Sequence, residues 1–152
     1  MKYLLFVFSL VFFSQLSAQE NVRQFDSVPA VKAFCKSVAD RFEKGQVEEI
    51  FEELGEVWIL PTDELNDLKI QTQNQLNLLG GRYGELIDGA LAEFRMAGNI
   101  LCRLTYVARY EKHGLKLEFV FYKGANDKWL LNSFQWDDQI VELLENAPII
   151  NN

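Results

Sequence analysis

The amino-acid sequence predicts an α+β domain in which N-terminal helices pack on one face of an antiparallel sheet. Between residues 29 and 79, apolar residues recur every three or four positions, which is the period of an amphipathic helix. From residue 100 onward they alternate with polar residues, as in half-buried strands, and tight turns separate the alternating runs. Helices followed by consecutive strands are typical of this fold class.

The first 19 residues have the pattern of a secretory signal peptide. Lys2 precedes an apolar run over residues 3–13, and small and polar residues follow it. A membrane-spanning helix needs about 20 predominantly apolar residues, so this run is too short. The alternative is a retained amphipathic or buried helix, but the segment has no amphipathic pattern. We therefore expect cleavage after Ala18 or Gln19, export to the periplasm or the medium, and no stable membrane insertion afterwards.

The charge of the chain argues against a nucleic-acid partner. The 152 residues carry 15 basic and 22 acidic side chains, and removal of residues 1–19 leaves a net charge of −8. Phosphate binding needs clustered lysine and arginine. A mature chain of this size fits one domain, for which we expect residues 29–146, with a flexible arm at 20–28 and a tail at 147–152.

Glycine and proline mark the boundaries of three predicted helices. The first begins at Pro29 and joins the second at Gly45, and the second ends before Gly55. The third begins with Thr62 as N-cap and ends at the glycine pair that includes Gly80. Its narrow apolar stripe predicts that one side of this helix faces solvent.

Three strands and a final helix are predicted for the second half. Alternation places strands over residues 100–111 and 115–123, joined by a tight turn, and over 128–137. A short helix over about 138–144 follows. Residues 82–97 fit a helical face as well as a strand, and the two glycines inside them each weaken a helix by roughly 1 kcal/mol. Periodicity alone leaves that segment open.

Several segments together carry a family resemblance. They are residues 81–84, 104–106, 110–113 and 119–123, followed by Trp129, Phe134, Trp136, Asp137 and Asp138. Over roughly residues 29–140, the chain resembles the cone-shaped, cystatin-like superfamily of nuclear transport factor two and ketosteroid isomerase, and within it a group of bacterial secreted proteins. The resemblance implies that residues 82–97 form the first long strand of a curved four-stranded sheet. It also implies a cavity between sheet and helices, where relatives bind or transform small apolar molecules.

Large aromatic side chains are the candidate lining of that cavity. They are Trp58, Tyr106, Phe119, Phe121 and Trp136. Such residues fill a core as readily as they line a pocket, and composition does not separate the two roles. With the resemblance, we expect a partial cavity that takes a small apolar ligand.

Asp88 and Tyr106 are the candidate catalytic residues. Chemistry like that of ketosteroid isomerase needs a carboxylate base inside an apolar pocket and a tyrosine or protonated acid opposite it. Asp88 can instead cap a bend at Gly89, and Tyr106 can be a core residue with one satisfied hydroxyl. No position matches the family's catalytic carboxylate clearly. A filled cone and a surface-exposed Asp88 would exclude the enzyme hypothesis, for which this pair is the only candidate.

Other polar candidates have simpler structural explanations. The single histidine, His113, lies beside a glycine in a predicted turn. Asp137 and Asp138 are neighbours in a strand and so point to opposite faces. Arg103 and Arg109 could bind an anion, but cross-strand pairing with Glu118 is sufficient to explain them. We expect no metal site and no cofactor, because the usual ligand spacings are absent.

The two cysteines, Cys35 and Cys102, are candidates for a disulfide after export. Both occupy predicted core positions, where a free cysteine behaves as a small apolar residue. The sequence does not show whether they come within bonding distance.

Three function hypotheses follow. The leading one is an exported, non-enzymatic binding or interaction module with a small-ligand cavity, possible as a homodimer through the exposed sheet face. The second is a small-molecule isomerase, hydrolase or dehydratase that uses a carboxylate base in the cone. The third is an accessory domain for assembly at the cell envelope, which a continuous exposed apolar patch would support.

Overall fold

Three helices precede a four-stranded antiparallel sheet, which confirms the predicted α+β class. The structure, a computed structural model, describes residues 22–147, so the predicted signal peptide and the end of the tail lie outside it. The strands lie side by side in chain order. The elements are α1 (Val28–Glu43), α2 (Val47–Val57), α3 (Thr62–Tyr83), β1 (Leu86–Ala97), β2 (Leu101–Tyr110), β3 (Gly114–Lys123), β4 (Trp129–Asp137) and a 3₁₀ helix (Ile140–Asn146).

Helix α1 buries the predicted apolar stripe against the sheet. The Ser27 hydroxyl accepts a hydrogen bond from the Ala30 amide at 3.4 Å, and a proline occupies the first turn, so the start is well defined. Gly45 follows the helix with a φ of +68°, as predicted for the turn into α2. The buried residues of the stripe are Val31, Phe34, Cys35, Val38, Ala39 and Phe42.

Helix α2 runs three residues beyond its predicted end at Leu54. Gly55 lies inside the helix, and a Cβ atom added there would come within 3.0 Å of Leu65 on α3. This glycine therefore permits close packing of α2 on α3 and does not terminate the helix. Val57 becomes a buried helical residue, and Trp58 leaves the helix to form an isolated parallel bridge with Leu131.

Helix α3 is long and mostly solvated, as its narrow stripe predicted. Only Thr72 and Tyr83 are buried, whereas Ile70 and Leu78 are exposed. The helix continues past the glycine pair to Tyr83 and ends before Gly84, whose φ is +82°. Within residues 22–147, no helix combines the length and apolar character needed to cross a bilayer.

Most of residues 82–97, which periodicity left open between helix and strand, form strand β1. Residues from Leu86 to Ala97 pair with β2 along their length, so the strand implied by the resemblance is confirmed, while residues 82 and 83 belong to α3. β1 is an edge strand, and the pairing shifts register between Leu86 and Asp88 and again between Leu91 and Glu93. Such bulges bend a strand and increase its twist.

The C-terminal residues cover part of the outer sheet face. The predicted terminal α-helix is a 3₁₀ helix that begins at Ile140. Lys116 of β3 is buried beneath it and pairs with Glu142 at 2.8 Å and with Asp137 at 3.4 Å. The outer face is therefore less open than a bare sheet would be.

The expected flexible arm packs against the domain over its described part, residues 22–27. The Phe25 side chain is buried, and its backbone exchanges two hydrogen bonds with Trp129 of β4, at 2.8 and 2.9 Å. The Arg23 amide also donates to the Glu56 carbonyl at 2.7 Å. The prediction of a flexible arm is wrong for these residues. Phe25 packs into the core and holds them in place, and the mostly polar residues around it gave no sign of this in the sequence.

Candidate functional site

The aromatic residues predicted to line one pocket divide between two places. Phe119 and Phe121 are fully buried and make edge contacts with Phe34, at ring-centroid distances of 6.5 and 6.2 Å. Tyr106 is also buried and contacts Phe119 edge-on. These three residues belong to the core between the helices and the sheet, so the structure does not place them on a pocket wall.

Trp58 and Trp136 do share a groove, but it is small. The groove between α3 and β4 measures about 190 Å³. Both indoles have hydrogen-bond acceptors, since Trp58 donates to the Asn132 carbonyl and Trp136 donates to the Thr72 hydroxyl, each at 3.1 Å. This volume lies below the usual range of ligand pockets, about 300–1,000 Å³.

Neither residue of the predicted catalytic pair is placed for proton transfer. Asp88 is exposed and forms an ion pair with Arg109 of β2. The hydrogen bond from Arg109 lowers the pKa of Asp88, whereas a general base in an apolar pocket needs a raised one. The Tyr106 hydroxyl donates to the Lys32 carbonyl at 3.5 Å within the core. The Asp88 and Tyr106 assignment is therefore wrong.

A larger cavity lies where the C-terminal end of α1 and the second half of α3 face the sheet. Its volume is about 370 Å³. Its apolar lining residues come from α1, α3 and the sheet: Phe42, Leu76, Leu79, Leu86 and Leu115. Its polar lining residues are Glu43, Lys44, Gln73, Asn77, Tyr83 and Tyr110. Apolar walls with a few convergent polar groups are typical of small-molecule sites.

A second groove, about 430 Å³, lies between α2 and α3 but has a different character. Glu52, Glu56 and Lys69 contribute to its lining. Lys69 there pairs with Glu48 at 2.7 Å. Because its charges are those of a solvated helix surface, the cavity at Glu43 is the stronger candidate site.

Glu43 is the last residue of α1, and it reaches across to β1. Its carboxylate lies against the backbone of Gly89, where any added Cβ atom would collide with it. Gly89 pairs with Ala108, which is buried, so this position of β1 faces the helices. Glycine in the interior of a strand often marks such a close approach. The missing side chain of Gly89 makes the space that the Glu43 carboxylate occupies.

The surroundings of Glu43 disfavour its negative charge. Partial burial raises its pKa, and the negative charges of Asp40 and Asp88 raise it further, while Lys36 and Lys44 act in the opposite direction. No hydrogen bond contributes, and among residues 22–147 no side chain forms an ion pair with Glu43. Lys36 itself is engaged with Asp40 at 2.7 Å.

Tyr110 supplies a second unpartnered polar group at this cavity. Burial raises the pKa of its phenol, and the negative charge of Glu43 raises it further. Within the described part of the chain, no acceptor is bonded to its hydroxyl. The neighbouring Tyr83 differs, because its hydroxyl donates to the Asp138 carboxylate at 2.7 Å. Two polar groups of the cavity, the Glu43 carboxylate and the Tyr110 phenol, therefore have no hydrogen bond to another residue among 22–147.

Neither Glu43 nor Tyr110 stood out in the sequence. Glu43 occupies a polar position at the end of an amphipathic helix, as many surface acids do. The usable signal was Gly89, because an interior strand glycine indicates close approach of another group. Its partner lies on α1, 46 positions earlier in the chain, and only the tertiary structure brings the two together.

The remaining polar candidates have structural roles. Arg103 pairs with Glu118 at 3.7 Å, as predicted, and with Glu93 at 2.9 Å. Asp138 does not cap the final helix but accepts the hydrogen bond from Tyr83 and lies 3.9 Å from His113. Within residues 22–147, no group of three or more ligating side chains could hold a metal ion.

Cys35 and Cys102 are both free and buried, so the candidate disulfide is not formed in the structure. They lie on α1 and β2, in the layer between helix and sheet. Burial raises the pKa of both thiols, that of Cys102 to about 11. Buried, protonated thiols are poor nucleophiles and poor metal ligands.

Comparison of the chain with protein-family models, with curated proteins and with solved structures found no match. The resemblance to the cone-shaped superfamily therefore rests on the sequence features named above and stays a prediction.

Proposed function

We propose that this chain is an exported binding domain, of the cone-shaped type, that holds a small and largely apolar molecule in the cavity between α1, α3 and the sheet. The observation that carries the proposal is the cavity of about 370 Å³ in which Glu43 and Tyr110 lack protein partners. We take export from the signal-peptide pattern at residues 1–19.

The unpartnered groups favour a ligand over a water-filled surface recess. Both groups are partly buried and form no hydrogen bond to another residue among 22–147, so a ligand or solvent must pair with them. A bound molecule that pairs with Glu43 and Tyr110 is oriented by both contacts, while Phe42, Leu76 and Leu115 cover its apolar part.

Native mass spectrometry of the protein purified from an exporting cell tests this function. We expect a population with added small-molecule mass that is lost in Leu76→Trp, because the indole fills the cavity. Ile70→Trp is the matched control, since Ile70 is exposed on the same helix and lies away from the cavity. Equal retention of ligand by both variants would place the binding elsewhere and contradict the proposal.

A proton-transfer enzyme is the second candidate, and the raised pKa of Glu43 beside Tyr110 favours it. In this version Glu43 replaces Asp88 as the carboxylate base, and Tyr110 stabilises the developing negative charge. Incubation of the released ligand with fresh protein separates the candidates. An isomerase, hydrolase or dehydratase converts the ligand, and Tyr110→Phe slows the conversion, whereas a binding module returns the ligand unchanged.

A further inference from the structure

We infer that the molecule held in this cavity is an apolar amine, whose ammonium group pairs with the Glu43 carboxylate and contacts the Tyr110 ring. This inference rests on the proposed function and specifies its ligand class.

The ionic groups near Glu43 are paired with one another and leave that carboxylate without a counter-ion. Lys36 pairs with Asp40, and Arg109 pairs with Asp88. Lys44, the next residue along the chain, also lines the cavity, but it is exposed and forms no ion pair with Glu43 among residues 22–147. The Glu43 carboxylate thus borders the cavity without an ion-pair partner, and a cationic ligand group would supply one.

The rest of the wall suits the body of such a ligand. Tyr110 and Phe42 line the same cavity as Glu43, and an ammonium group over an aromatic face gains a cation–π contribution. Leu76 and Leu79 of α3 form the apolar side opposite the sheet. A carboxylate ligand would be repelled by Glu43, and a neutral alcohol would leave its charge uncompensated.

Calorimetric titration with octylamine, octanol and octanoate tests the inference, because these probes share one apolar chain. We expect the wild-type protein to bind octylamine roughly tenfold or more tightly than octanol, as a charge-assisted hydrogen bond predicts. Octanoate should bind most weakly. Glu43→Gln should remove the preference for the amine while octanol binding persists.

Glu49→Gln is the matched control, because Glu49 is exposed on α2 and its replacement removes the same charge elsewhere. We expect this variant to bind octylamine as the wild type does. Equal loss of amine affinity in both variants would mean general attraction to an acidic surface and would overturn the inference.

The pH dependence supplies a second readout. Octylamine binding should weaken as the pH falls through the raised pKa of Glu43, because the protonated carboxyl group no longer pairs with an ammonium ion. The groups that face Glu43 are Lys36, Asp40 and Lys44 on α1, Asp88 on β1 and Tyr110 on β2. A pH-independent affinity over this range would contradict the inference.

The outcomes for the two proposals are distinguishable. If octanol and octylamine bind the wild type equally and Leu76→Trp abolishes both, the cavity is a ligand site and the amine inference is wrong. If no probe binds and the purified protein carries no ligand that Leu76→Trp removes, the proposed function fails as well.

Discussion

Glu43 combines an unfavourable environment with a position on the wall of the cavity. Functional residues often sit where the folded protein would be more stable with another side chain. The carboxylate is partly buried, lacks a hydrogen bond, and lies near two other acids. If Glu43 had a structural role, we would expect it to form an ion pair, as Glu53 does with Arg41 on the neighbouring helix. Glu43 has none among residues 22–147.

Glu43→Gln should therefore stabilise the protein at neutral pH. The folded-state pKa of Glu43 is raised above the ordinary value of 4.5, so the folded protein is favoured when this group is protonated and loses that advantage as the pH rises through the folded-state pKa. Glutamine is neutral throughout. We expect a higher urea midpoint for the variant at pH 7 and a difference that disappears near pH 4. A less stable variant at pH 7 would show that the carboxylate is needed for packing.

The cysteine thiols should be inert in the folded protein. Cys35 and Cys102 are buried, and burial raises the pKa of each thiol, so the thiolate is rare and inaccessible. We expect no maleimide labelling under native conditions and labelling of both thiols in urea without reductant. A mass lower by two hydrogens, with no labelling in urea, would show that the disulfide forms after all.

Residue types and spacing were sufficient to identify buried and structural residues, but not the candidate site. The apolar stripe of α1 and the pairing of Arg103 with Glu118 followed from periodicity and from strand alternation. Asp88 was misassigned because the alternation of residues predicts which face of the strand a side chain lies on, but not which side chains of the next strand lie beside it. Its pairing with Arg109 depends on the register shift after Leu86.

At the level of secondary-structure elements, boundaries at glycines were the main source of error. Gly55 and the pair at Gly80 predicted helix ends, yet both helices continue. A helix tolerates glycine at a cost of about 1 kcal/mol when packing compensates, and at Gly55 the close approach of Leu65 shows that compensation. The strands were predicted well because alternation and turn residues agree over 101–137.

The contact between α1 and β1 at Gly89 gives a test at this level. Gly89→Ala should displace the Glu43 carboxylate and destabilise the protein by less than the roughly 1–3 kcal/mol of a methyl group added to a filled core, because the new Cβ atom meets the end of a flexible side chain. In a Glu43→Ala background the same substitution should cost much less, since the carboxylate is gone. Denaturant titrations of the four proteins give the coupling free energy. Additive effects would contradict the contact.

At the scale of the whole molecule, the sheet is covered on both faces, but unequally. The helices cover the inner face of β2, β3 and β4, whereas β1 has no buried residue. The 3₁₀ helix at residues 140–146 covers part of the outer face near Lys116. Ile100, Leu101 and Tyr122 stay exposed at the other end of the sheet. The predicted homodimer and the role in envelope assembly would use this end, and both stay predictions.

Export can be tested on the full chain. We expect the purified exported protein to begin at Gln19 or Glu20, because the predicted signal peptide is removed after Ala18 or Gln19. Leu5→Arg places a charge in the apolar run and should leave the protein uncleaved inside the cell. Lys2→Arg keeps the charge at the start and should be cleaved normally. An intact N-terminus on exported wild-type protein would contradict the assignment.

The central claim is that Glu43 faces a ligand cavity as an unpaired carboxylate. An NMR titration of its side-chain carboxyl carbon, assigned by comparison with Glu43→Gln, tests this most directly. We expect a pKa above the ordinary value of 4.5 in the free protein and a lower pKa when octylamine is bound, because the ammonium group stabilises the ionised form. An ordinary pKa that octylamine leaves unchanged would contradict the claim.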